Sequence, residues 1–157
     1  MKPIIIIGVG NALMGDEGVG IHATKKLRQS LKREDCEIID AGVPSMSLLH
    51  MLEGHKLALI IDCVDFGGDP GEIEIFTPDE VNREDEALVS LHSTDLLSML
   101  DVGKKIKMDL PQIWIVGIQP SRIEQSMELS QETSDALMDL PELIENIINS
   151  SSELVIH

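Results

Sequence analysis

Aromatic side chains are nearly missing from this sequence: Phe66, Phe76 and Trp114 are the only three among 157 residues, and there is no tyrosine. Without aromatic platforms there is little on which nucleic-acid bases could stack. Cations are also scarce, with 12 Lys+Arg against 28 Asp+Glu for a formal net charge of -16. The basic residues fall in three small groups, Lys25-Lys26-Arg28, Lys32-Arg33 and Lys104-Lys105-Lys107, each with acidic neighbours. They read as solvated helix faces and turns rather than a phosphate-binding patch. Together these shortages argue against a nucleic-acid partner. No apolar run approaches the ~20 residues that cross a bilayer, and Met1-Lys2-Pro3 leads into a strand-like run without a small-residue cleavage site. Cys36 and Cys63 stand alone, without CxxC spacing, in strand-like surroundings, so reduced packing thiols are expected rather than a disulfide. The expectation is a cytoplasmic monomer that inserts into no membrane.

What is present is aliphatic. Hydrophobic residues make up 43% of the chain, enough for a core, and a domain of this length can bury roughly 68–70% of its unfolded surface. Ile4 to Gly8, Leu57 to Ile61 and Ile113 to Ile118 are apolar on both faces, as interior parallel strands are. Glu37-Ile38-Ile39-Asp40 is a shorter candidate, and Glu72 to Phe76 alternates like a half-exposed edge strand. Between them Val19, Ala23, Leu27 and Leu31 mark one face of a helix. Ser45 to Glu53 and Thr94 to Leu100 carry further helical clusters. Ala136 to Ile148 marks a last amphipathic helix, which Pro141 kinks or restarts. The alternation predicts a single α/β domain over residues 1–149, with a twisted, mostly parallel five-stranded sheet between helices, and a tail over 150–157.

Chemistry concentrates in three places. Gly8 to Gly20 holds five glycines in thirteen residues between the first strand and the first helix. It is not a dinucleotide turn: a GxGxxG pattern needs glycine where Leu13 stands, and Asp16 and Glu17 would repel a pyrophosphate at the helix N-terminus. It also lacks the Lys-Ser/Thr of a P-loop, so no nucleotide is expected. The two carboxylates could simply complement the helix dipole, but the glycine density implies backbone held close to something. Asp62 follows Leu59-Ile60-Ile61 at a strand end, the edge where open α/β sheets carry their sites, although a turn or cap role is equally open. In a 2-1-3 strand order it would share a crevice with the glycine-rich loop. His92 precedes a helical pattern; taken alone it reads first as a surface or capping histidine. Glu17, Asp62 and His92 could together hold a divalent ion with mixed oxygen and nitrogen donors, such as zinc or nickel. Neither HExxH nor GxSxG is present.

These stretches resemble a known family. Ile7 to Gly20, Ile39-Asp40-Ala41-Gly42, Ile60 to Asp65, His92 before a helix, and Val116-Gly117-Ile118-Gln119-Pro120 follow, in order, the motifs of the [NiFe]-hydrogenase maturation endopeptidases. Gly68-Asp69-Pro70-Gly71-Glu72-Ile73 is similar to the formate-hydrogenlyase subgroup. The resemblance implies a protease that removes the C-terminal extension of a hydrogenase large-subunit precursor once nickel has been inserted. It implies that Glu17, Asp62 and His92 contact that nickel, which the substrate supplies. Asp16 would be a candidate general base, and Asn11, Asp40 and Gly42 would contact substrate. Where the family has an Asp-Gly-Gly-Thr-like box, this chain reads Asp40-Ala41-Gly42-Val43. The alternative is a non-proteolytic domain that binds a metal or chaperones a partner.

Overall fold

Two runs of isoleucine and leucine dictate the centre of the molecule. In the computed structural model, which describes residues 1–81, 93–121 and 123–155, β1 (Ile4–Val9) and β3 (Leu57–Cys63) are buried at every position. Strand side chains alternate between faces, so an all-apolar run requires cover on both sides, and both sides are covered. Ile4, Ile6, Leu57, Leu59 and Ile61 pack with Val19, Ala23 and Leu27 of α1 (Val19–Ser30) and with Leu140, Ile144 and Ile148 of the last helix. Ile5, Ile7, Ala58 and Ile60 face the other way, onto Leu48, Leu49 and Leu52 of α2 (Met46–Leu52) and Leu96 and Leu100 of α4 (Ser93–Lys105).

The sheet has five strands in the order β2-β1-β3-β5-β4, with β2 (Cys36–Gly42) and β4 (Ile73–Phe76) at its edges and β5 (Gln112–Ile118) beside β3. The first four strands run parallel, and β4 pairs antiparallel with β5. The expected fold class is therefore the observed one, including the 2-1-3 neighbourhood and the alternating edge strand. β2 is longer than its Glu37–Asp40 core suggested, and α3 (Pro78–Val81) is a single turn after β4.

Two helices occupy the end of the chain. α5 (Gln131–Ala136) stops short, and α6 (Leu140–Val155) restarts with Pro141 in its first turn, where proline's missing N–H costs nothing. α6 runs past Asn149, where hydrophobic periodicity fades. Ser151 lies on its inner side and is buried, so the core face continues through a polar residue. Among the described residues no helix is long and apolar enough to cross a membrane. Cys36 and Cys63 are both free and buried, as expected.

Candidate active site

The carboxyl ends of β2, β1, β3 and β5 meet on one edge: Gly8 pairs with Asp40 on one side and Ile61 on the other, and Asp62 pairs with Gly117. The glycine-rich loop lies directly over this edge. A Cβ on Gly20, in the first turn of α1, would stand 2.4 Å from the carbonyl oxygens of both Val9 and Ile61. On Gly10, at φ +144°, it would be 2.1 Å from the carbonyl oxygen of Glu17. Only bare backbone fits, so the glycines press a 3-10 turn (Gly15–Gly18) and the start of α1 onto the ends of β1 and β3. This is the close backbone approach that the glycine density implied.

That turn carries Asp16 and Glu17. Asp16 is buried, and both of its oxygens are occupied: Oδ2 accepts from Ser121 N–H and Ser130 Oγ–H (2.8 Å each), and Oδ1 from Ser130 N–H and Thr133 Oγ1–H (2.7 Å each). A carboxylate has about four acceptor sites, so these donors saturate it. The geometry corrects the reading of Asp16 as an available base: it ties the glycine-rich loop to the segment after β5 and to the N-terminus of α5. Ser130 also caps α5, accepting from Thr133 N–H. A second tie joins the same loops, where Met14 bridges Ser126 and Gly15 N–H donates to the Ser126 carbonyl at 2.8 Å.

Asp62 is the penultimate residue of β3, almost fully buried, with Oδ1 accepting from the Cys63 N–H at 2.8 Å. Glu17 is half-buried. The Cys63 thiol is pushed well above the ordinary thiol range, first by burial and then by the charges of Asp62, Asp16, Glu17 and Asp65. The 3-10 turn that carries Glu17 packs against β3, so Glu17 and Asp62 come to the same edge of the sheet although 45 positions separate them. Beside them Gln119, also buried, pins the loop after β3: its Oε1 accepts from Phe66 and Gly68 N–H, and its Nε2 donates to Asp65 at 3.0 Å. That donation, followed by one from Gly67 N–H, holds the Asp65 carboxyl below the usual carboxylate range.

His92 lies outside the described residues. Among the described residues no three His, Cys, Asp or Glu side chains converge in a way that could hold a metal ion. The donor chemistry of Glu17 and Asp62 still suits a divalent cation, since both are hard oxygen ligands. The residues expected to contact substrate have internal partners. Asn11 Oδ1 accepts from Leu13 N–H at 3.0 Å, which shapes the loop, and the Gly42 carbonyl accepts from Gly10 N–H at 2.9 Å. Asp40 accepts from the Thr24 hydroxyl and pairs with Arg28 at 3.2 Å. Of the residues that hold these loops, Gln119 lies in the Val116–Pro120 motif, whereas Ser121, Ser130 and Thr133 stand in no motif. Ser130, a serine directly before a helical segment, carries a local signal, that of an N-cap.

Comparison with known proteins identifies the family. The hydrogenase maturation protease family HycI matches residues 21–147. HupD of Rhizobium leguminosarum bv. viciae, a hydrogenase expression/formation protein, is 28% identical over 123 residues, covering 77% of this chain and 61% of its own. The chain thus spans about three fifths of the length of such curated relatives. Among solved structures, the hydrogenase maturating endopeptidase HybD of Escherichia coli superposes with a TM-score of 0.81 at 24% identity, covering 94% of this chain and 93% of that one. The [NiFe] hydrogenase maturation protease HybD of Thermococcus kodakarensis gives 0.73 at 25% identity, with 92% and 97% covered. By its sequence over most of its length and by its fold, this chain belongs to the hydrogenase maturation protease family.

Proposed function

We propose that this protein is an endopeptidase that removes the C-terminal extension of a nickel-loaded [NiFe]-hydrogenase large-subunit precursor. The observation that carries the reading is the packing of the turn that bears Glu17 onto the carboxyl edge of the sheet, where Asp62 lies, under a loop that only glycines allow to lie so close. Two acids concentrated there repel a phosphate and attract a divalent cation.

The metal in this proposal is the substrate's own. Glu17, Asp62 and His92 would recognise it, and a nickel ion next to the scissile bond supplies Lewis acidity toward a carbonyl or a water. The protein's part is to hold two charged oxygens in a fixed place. Asp16 serves that end as a positioning residue: its four hydrogen bonds anchor the turn that presents Glu17. Asn11, Asp40 and Gly42 would line the path of the peptide. A reducing, cytoplasmic compartment belongs to the same proposal and suits two buried free thiols.

The test is the mass of the large-subunit precursor after incubation with the protein, with and without nickel loading. Loss of the extension from the nickel-loaded form alone is expected, and Asp62→Asn and His92→Ala should each abolish it. Near-normal processing by both variants would remove the site. Tight association without mass loss would instead establish a non-proteolytic binding domain.

A further inference from the structure

The acidic surface is broken at one place beside the site. A cleft of about 410 Å³ is lined by Ala12 of the glycine-rich loop, Ile21, His22, Lys25 and Arg28 along the outer face of α1, Asp40 at the end of β2, and Met127. That volume suits a side chain or a short peptide segment. Its one carboxylate is already balanced, because Asp40 accepts from Thr24 and pairs with Arg28. Lys25 is exposed and, among the described residues, forms no ion pair, and the His22 ring beside it makes no hydrogen bond. In a chain of net charge -16 the cleft is therefore locally cationic. At physiological salt exposed charges are screened beyond about 8 Å, so the charges that line the cleft itself weigh most on a segment bound in it. Ile21 and Met127, the latter 71% exposed, add an apolar wall.

We propose that this cleft is a subsite for an acidic stretch of the precursor polypeptide, with a carboxylate held between Lys25 and His22 and its aliphatic stem against Ile21 and Met127. The inference rests on the protease reading and names a specificity determinant for it. A basic segment fits worse: it would stand against Lys25 and would have to displace Arg28 from Asp40. Ala12 opens the cleft only five positions before Glu17, so a peptide seated here leads over the glycine-rich loop toward the two carboxylates.

The experiment titrates the isotope-labelled full chain with two acetylated, amidated hexapeptides, Gly-Glu-Glu-Leu-Glu-Gly and Gly-Lys-Lys-Leu-Lys-Gly, while amide resonances are followed. The acidic peptide should shift Ala12, His22, Lys25 and Met127. Lys25→Glu should weaken it about tenfold or more, and Lys25→Arg should retain it. Because Lys25 is exposed, neither substitution threatens folding. In parallel, Lys25→Glu should raise the KM for nickel-loaded precursor more than it lowers kcat. Preference for the basic peptide, no shifts with the acidic one, or shifts indifferent to Lys25→Glu would each overturn the subsite. A wild-type chain that binds the acidic peptide but cleaves no precursor would overturn the protease reading and leave the subsite standing.

Discussion

Asp16 shows how one buried acid can organise a site through hydrogen bonds that reach across the chain. Its acceptors are filled by donors 105 to 117 positions away in the chain. Truncation would leave the N–H groups of Ser121 and Ser130 and two hydroxyls facing a void, each buried unsatisfied group costing about 1–3 kcal/mol. Asp16→Ala should therefore lower stability by about 3 kcal/mol or more, read as a drop in the urea midpoint at unchanged slope. A loss within about 0.5 kcal/mol, the range of ordinary surface substitutions, would mean that the hydrogen-bond hub is not structural. The same residue marks the limit of what the sequence made legible. That an acid stood at the mouth of the first helix was readable from spacing, as was Asp62 at a strand end. That Asp16 was already engaged was not, because Ser121, Ser130 and Thr133 come together with it only through tertiary folding and leave no periodic trace.

Elements meet here through backbone as much as through side chains, and the glycines separate two kinds of necessity. Gly20 has no room: its neighbours at 2.4 Å are carbonyl oxygens of Val9 and Ile61, which cannot swing aside as a flexible side chain can. Gly42 has open space around the position of a Cβ, and its constraint is only φ +65°. Gly42→Ala should thus cost about 1–2 kcal/mol, the ordinary penalty of a left-handed alanine. Gly20→Ala must part α1 from the sheet and should cost more, about 3 kcal/mol or above, with loss of processing as Glu17 is displaced. Thermal unfolding of the two variants side by side checks the order, and equal costs would refute the close-approach argument. Element identity was largely readable because β1 and β3 are apolar on both faces and α1 repeats every four residues. Element ends were less so. β2 extends through Cys36 and Ala41–Gly42 because its pairing with β1, not its own pattern, sets its length. α6 continues past Asn149 because a helix already packed along one side keeps propagating at one hydrogen bond per residue, even through serines.

At the scale of the molecule the imbalance of charge is a force on the fold itself. Twelve cations cannot neutralise 28 anions, and among the described residues the best-formed ion pairs are confined to one seam, where Arg33 holds Asp35 at 2.8 Å and Glu145 at 2.7 Å, joining the connection before β2 to α6. Folding brings the remaining carboxylates closer than they are in the unfolded chain, so their mutual repulsion opposes the compact state. Added salt screens that repulsion over about 10 Å at 0.1 M, while it weakens the few exposed attractive pairs by only a few tenths of a kcal/mol each. Repulsion among many should outweigh attraction among few. The melting temperature near pH 7 should therefore rise as sodium chloride goes from 10 to 200 mM, and fall again toward the low-salt value when Arg33→Met removes one more cation. A melting temperature that drops with salt would show that the Arg33 seam, not the excess of acids, dominates the electrostatics of folding. The same screening bears differently on function. The acids at the sheet edge are buried or half-buried and lose little of their field to salt, so the attraction of Glu17 and Asp62 for a cation should outlast the conditions that silence the rest of the acidic surface.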